Sequence, residues 1–140
     1  MNDDFPEAID FVEPPKELDD LARSVIGAAI EVHRELGPGF PEELYQHALE
    51  IELGARGIPF ESQKPITVTY KGFFVGKGII DILVAGRLVV EIKTVASILP
   101  VHRLQTRSYM RVIREPLGLL INFDVPLLKD GIRRVIESQP

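Results

Sequence analysis

From Leu21 onward the apolar residues Leu21, Ala22, Val25, Ile26, Ala29, Ile30, Val32 and Leu36 recur with a helical period, and Asp19 or Asp20 is placed to serve as N-cap. Gly37-Pro38-Gly39 ends this first helix. Pro41 suits the first position of a second helix, whose apolar face carries Leu44, Tyr45, Ala48, Leu49 and Leu53 before Gly54 and Gly57 weaken and stop it. The period then drops from 3.6 to 2. Ile66, Val68 and Tyr70 alternate with polar residues, Lys71-Gly72 makes a turn, and two β-rich runs, Phe73–Val84 and Leu88–Lys93, flank Ala85-Gly86-Arg87. This pattern predicts three antiparallel strands. Residues 101 to 114 can form a third helix after Pro100, and Glu115-Pro116 ends it because proline disfavours a helical residue before it. Residues 117 to 123 are almost wholly apolar, the composition of a strand covered on both faces, and Ile132–Ile136 suits either strand or helix. The order is α-α-β-β-β-α-β, an α/β (α+β) class, with no internal repeat.

A chain of 140 residues with 45% apolar and 26% charged positions has the size and balance of one folded domain, and no window is apolar enough to span a bilayer. Residues 1 to 17 lack an apolar period and hold Pro6, Pro14 and Pro15 among acids, so they read as an acidic tail before a single domain from 18 to 140. There is no cysteine, which excludes thiolate chemistry and cysteine-based metal sites and fits a reducing, cytoplasmic setting. The net charge of -5 is unevenly placed. Residues 1 to 20 carry eight acids against Lys16 alone, a charge of -7, whereas residues 93 to 134 carry eight bases against three acids. A polyanionic partner is compatible with that second segment, and the tail could fold over it as a mimic of DNA.

If the loop between the second and third strands spans Ala85, Gly86 and Arg87, Asp81 faces Glu91. Alternation then puts Glu91 and Lys93 on one face of a strand and Asp81 on the same face of its neighbour. Apolar flanks on both strands would partly desolvate these charges, and two opposed carboxylates raise that cost unless a cation sits between them. Oxygen donors favour Mg²⁺ or Mn²⁺ over zinc. A two-residue loop would set Asp81 against Val90 and abolish the convergence. The plain alternative is a solvent-facing ladder in which Lys93 pairs with either acid.

The stretch from Val32 to Tyr45 contains G-x-x-E-x-x-Y as Gly39, Glu42 and Tyr45. With Pro100-Val101-His102 before the third helix and Leu119-Leu120-Ile121-Asn122-Phe123 after it, the chain resembles the GxxExxY proteins, placed in the PD-(D/E)xK nuclease superfamily, from about Leu21 to Ile136. The resemblance implies a restriction-endonuclease-like core, a mixed central sheet flanked by helices. It implies that Glu42, Asp81, Glu91 and the backbone carbonyl of Ile92 hold Mg²⁺ or Mn²⁺ while Lys93 assists hydrolysis of a phosphodiester. Gln105 and Tyr109 match the Q-x-x-x-Y pattern of a related branch, which implies that Gln105 positions the lysine or the phosphate. Arg103, Arg107 and Arg111 form a stripe at i, i+4, i+8 that, with Tyr109, could contact nucleic acid, or simply solvate the helix. One position departs: the family often has Arg two residues before the strand Asp, and here it is Ile79. The expected partner is nucleic acid, DNA before RNA, with no membrane, and a domain this small would need a second copy or another protein to embrace a duplex. The alternative is a nuclease-fold protein that no longer cuts and serves as a nucleic-acid-binding or protein-interaction module. His33 reads as a hydrogen-bonded structural residue.

Overall fold

The computed structural model describes residues 13 to 137. Along them run α1 (Lys16–Leu36), α2 (Glu42–Ala55), β1 (Phe60–Tyr70), β2 (Phe73–Val84), β3 (Leu88–Lys93), α3 (Pro100–Ile113), β4 (Leu117–Asn122), a short 3-10 turn (Leu128–Gly131) and β5 (Ile132–Ile136). The strands form one sheet in the order β1-β2-β3-β4-β5. All neighbours are antiparallel except β3 and β4, which run parallel because α3 carries the chain back across the sheet. Ile132–Ile136 is thus a strand, and the sheet is mixed.

Helices α1 and α2 cover one face, burying Leu18, Val25, Tyr45 and Leu49 against Ile82, Val90, Leu119 and Phe123. Helix α3 covers the other, packing Met110 against Ile80, Val89 and Leu120. The central strands are therefore buried on both sides: every residue of β4 and the first five of β3 are closed to solvent. Gly118 on β4 lets α3 come this close, since a Cβ there would stand 2.8 Å from the Met110 sulfur.

The first helix begins earlier than its apolar period predicts. Pro15 occupies the N-cap position and the N–H groups of Leu18 and Asp19 donate to its carbonyl. Asp19 and Asp20 are therefore in the first turns instead of capping, and they pair with Arg134 and Lys16. The sequence pattern misses this start because it counts prolines as tail, although proline's fixed φ suits a helix entrance. Residues 1 to 12, the bulk of the acidic tail and the proposed mimic of DNA, lie outside the described residues. The Lys71-Gly72 turn forms as expected, with φ of 49° and 86°, the conformation of a two-residue hairpin.

Candidate active site

Strand β2 pairs with β3 through Ile82 with Val90, Leu83 with Val89 and Val84 with Leu88, which is the register of the three-residue loop. The ladder then stops. On the opposite side the β1 pairing passes from Ser62 with Ile82 to Lys64 with Ile80, omitting Asp81 and Gln63, and Gln63 has a φ of 50°. The alternation of β2 slips at the same point. Ile82 and Val84 belong to the core under α1 and α2, whereas Ile80, two residues on, belongs to the core under α3. Asp81 thus sits at a fork where the β1–β2 hairpin leaves the main sheet.

Backbone groups freed at a fork need other partners, and acids and an amide supply them. The Asp81 N–H donates to Glu91 Oε2 at 3.0 Å. The Ile92 N–H donates to Asp81 Oδ2 at 2.8 Å. Gln46 Nε2, on α2, donates to the Asp81 carbonyl at 3.0 Å and to Glu50 Oε2 at 2.9 Å. The two carboxylates are clipped across the fork, each held by the other strand's backbone. None of the buried polar side-chain atoms among the described residues lacks a partner.

Helix α2 delivers the third acid, and the loop before it is fastened by Tyr45. The buried Tyr45 ring stacks on Phe123 with centroids 4.6 Å apart. Its hydroxyl donates to the Gly37 carbonyl and accepts from the Phe40 N–H at 3.2 Å. Gly39, with φ of 111°, lets the loop turn into α2. Glu42 follows in the first turn, so the spacing Gly39, Glu42, Tyr45 fixes where its carboxyl stands.

The electrostatics are those of acids short of positive charge. Burial pushes the Glu91 carboxyl up to about 8, with Asp81 and Glu42 adding to the rise. Burial likewise raises Asp81, and Glu50 reinforces it. Glu42 is raised by burial and then by Asp81. Lys93 lowers all three without cancelling the rise, and it makes none of the ion pairs found among the described residues. The salt-bridge ladder is therefore not what forms here. The donor chemistry suits a hard divalent cation. Even so, no three acid or imidazole side chains among the described residues are already drawn together as a ligand cluster.

Other predicted residues are placed less centrally. Gln105 donates to the Tyr109 hydroxyl at 3.4 Å. Tyr109 packs on the α3-side core and lies over Gly78, where a Cβ would come within 2.8 Å of its ring. Arg111 is 3.6 Å from Glu137, while Arg103 and Arg107 are half-buried on α3. Ile79 is 53% exposed. His33 is structural, its Nε2 donating to the Val125 carbonyl at 2.8 Å, and His102 Nδ1 accepts from the Leu99 N–H at the start of α3.

Two contributors escaped the sequence reading. Gln46 and Glu50 continue Glu42 at i+4 and i+8, a polar stripe that lies along the fork and was legible as a spacing. Asn122, buried at the end of β4 beside Lys93, donates to the Val95 carbonyl and accepts from the N–H groups of Val95 and Asp124. It pins the segment that leaves Lys93.

With this geometry the family assignment has a physical basis. The profile of the PD-(D/E)XK nuclease superfamily matches residues 19–135. The chain belongs to that superfamily. Its mixed five-stranded sheet with three helices is the restriction-endonuclease-like fold of this nuclease-type domain. No curated protein and no solved structure matches the chain. Among the described residues no helix is long and apolar enough to cross a membrane.

Proposed function

We propose that this domain hydrolyses phosphodiester bonds of nucleic acid, DNA before RNA, with a divalent cation, Mg²⁺ or Mn²⁺, held by Glu42, Asp81, Glu91 and the Ile92 carbonyl. The observation that supports it most is Glu91, a carboxyl only 3% exposed, clipped to Asp81 and raised to about 8. Leaving such a group beside a second acid costs stability, and a fold retains that arrangement when something positive completes it. When bound, the cation supplies Lewis acidity toward a phosphate oxygen and a water of lowered pKa.

The chain's own residues do the rest. The Ile92 and Asp81 N–H groups hold one oxygen of each strand acid, which fixes the orientation of both carboxyls. Gln46 holds the Asp81 carbonyl at the point where the ladder is interrupted. Lys93 is close enough to act on all three acids and offers its ammonium to negative charge developing on the phosphate. Gln105, Arg103, Arg107, Tyr109 and Arg111 on α3 would contact the nucleic acid, and Arg111 would first have to leave Glu137.

The test is cleavage of single- and double-stranded DNA and RNA with Mg²⁺ or Mn²⁺ by the wild type and by Asp81→Asn and Glu91→Gln variants. Metal-dependent cleavage that disappears in both variants supports the proposal. Cleavage that survives in both refutes it. The ungathered carboxyls and exposed Ile79 favour a second reading, a nuclease fold retained for binding alone, and metal-independent binding without cleavage would support that reading.

A further inference from the structure

Past the fork the β1–β2 hairpin carries side chains that neither core uses. Tyr70, Phe73, Phe74 and Val75 are 62%, 75%, 63% and 60% exposed. Tyr70 and Phe73 face each other across the Lys71-Gly72 turn, so they share one face of the ribbon, while Phe74, opposite Thr69, lies on the other. A solvent-exposed hairpin tip is ordinarily polar, and four large apolar side chains within six residues, with Tyr70 and Phe73 paired on one face, mark a binding surface.

Charge identifies the occupant. Lys64 is paired with Glu61 at 2.9 Å, but Lys71 and Lys77 make none of the ion pairs found among the described residues, in a chain whose net charge is -5. Lys71 lies over the Tyr70 ring, its Nζ 5.4 Å from the centroid. A second copy of the hairpin would bring two more uncompensated lysines against these two. A polyanion with flat apolar faces satisfies both features at once, because bases stack on aromatic rings while lysines track the phosphates. Bases in a duplex are already stacked, so the fit is to a single strand.

We propose that the tip of the β1–β2 hairpin is a stacking platform for single-stranded nucleic acid, which it holds in line with the fork. Seven residue steps of extended strand lead from Phe74 to Asp81, roughly 23 Å, so a strand gripped at the tip reaches the acids a few nucleotides further on. As a route for substrate the inference rests on the nuclease reading; as a binding surface it stands alone.

The experiment measures binding of the full chain to a single-stranded oligonucleotide of about 16 nucleotides, near the upper end of known site sizes, with Ca²⁺ replacing Mg²⁺. The chain has no tryptophan and three tyrosines, so the part of the tyrosine quenching that disappears in a Tyr70→Phe variant reports stacking at the tip, apart from any contribution of Tyr109. The variants are Phe73→Ala/Phe74→Ala and Lys71→Gln/Lys77→Gln, all exposed positions that the fold does not need. The aromatic variant should bind on the order of tenfold or more weakly. The lysine variant should lower the salt dependence by about 1.4 in log–log slope, two phosphates' worth for a single strand. Hydrolysis of a small activated phosphodiester, too short to reach the tip, should be unchanged in both. Loss of binding in the aromatic variant supports the platform even where the wild type cleaves nothing, which would count against the nuclease reading alone. Unchanged affinity, or equal binding and equal loss with duplex DNA, overturns the platform whatever the cleavage result. A wild-type dimer that the aromatic variant converts to monomer, with affinity for the oligonucleotide unaltered, also overturns it in favour of a second copy as the occupant.

Discussion

Replacing Glu91 by glutamine should stabilise the cation-free protein at alkaline pH while removing its response to divalent metal. The unfolded carboxyl titrates near 4.5 and the folded one near 8, so between those values the folded state binds a proton that the unfolded state has lost. Stability contributed by this group is therefore fully present below pH 4.5 and is lost as pH rises through 8. At 1.36 kcal/mol per unit the loss is at most about 5 kcal/mol, a large share of the 5 to 15 kcal/mol typical of a domain. Glutamine has the same shape, keeps an oxygen to accept the Asp81 N–H and never ionises. Urea unfolding in EDTA at pH 5 and pH 9 should therefore show similar midpoints at pH 5 and a clear advantage for the variant at pH 9. The gain should be a few kcal/mol, of order 10 °C in Tm for a chain of this size. Asp81 and Glu42 are raised as well and both repel Glu91, so the difference between the two proteins reports Glu91 together with its coupling to them. Adding Mg²⁺ at pH 9 should close the gap by raising the wild type alone. Curves that stay parallel from pH 5 to pH 9 would refute the account of Glu91 as a buried acid awaiting a cation.

Gln46→Ala leaves the Asp81 carbonyl without its partner, and should cost about 1 to 2 kcal/mol in denaturant unfolding and lower metal-dependent cleavage. Tyr45→Phe keeps the stacking on Phe123 but removes two hydrogen bonds to the loop before α2, so a loss of about 1 to 2 kcal/mol is expected, with faster amide exchange at Phe40. Asn122→Ala strips the partners of Val95 and Asp124 from a buried site, and should cost about 2 to 4 kcal/mol and weaken cleavage through Lys93. Gly78→Ala brings a methyl group against Tyr109 and should destabilise by about 1 to 3 kcal/mol, largely recovered in a Gly78→Ala/Tyr109→Ala double variant; no recovery would show that the strain lies elsewhere.

What the sequence could and could not show follows from how local each determinant is. The register between β2 and β3 depends on a loop of three residues bounded by two long apolar runs, so it was readable as far as Ile82 with Val90, where the ladder ends and Asp81 and Glu91 meet through backbone N–H groups instead of as a ladder pair. The long-range links were not: the parallel pairing of β4 with β3 follows from the crossover through α3, and Asn122 acts on Val95, 27 residues away. The fork is hardest to see. It coincides with a positive φ at Gln63 that neither its residue type nor its neighbours announce, and with Ile80 settling under α3 when alternation assigns it to the other face, while the β1–β2 register itself is kept on both sides. Regular alternation predicts a ladder in which Asp81 and Glu91 lie side by side and Lys93 neutralises them. The observed slip instead turns Asp81's own N–H and carbonyl toward Glu91 and Gln46. The acids are thereby held by backbone, with the ammonium at longer range, so that once Glu91 ionises, above about pH 8, their charge is left uncancelled. That distinction separates a stabilising surface ladder from a site: a ladder would be most stable with its pairs intact and indifferent to magnesium, whereas the fork carries a cost at alkaline pH that only a cation, or the loss of an acid, relieves.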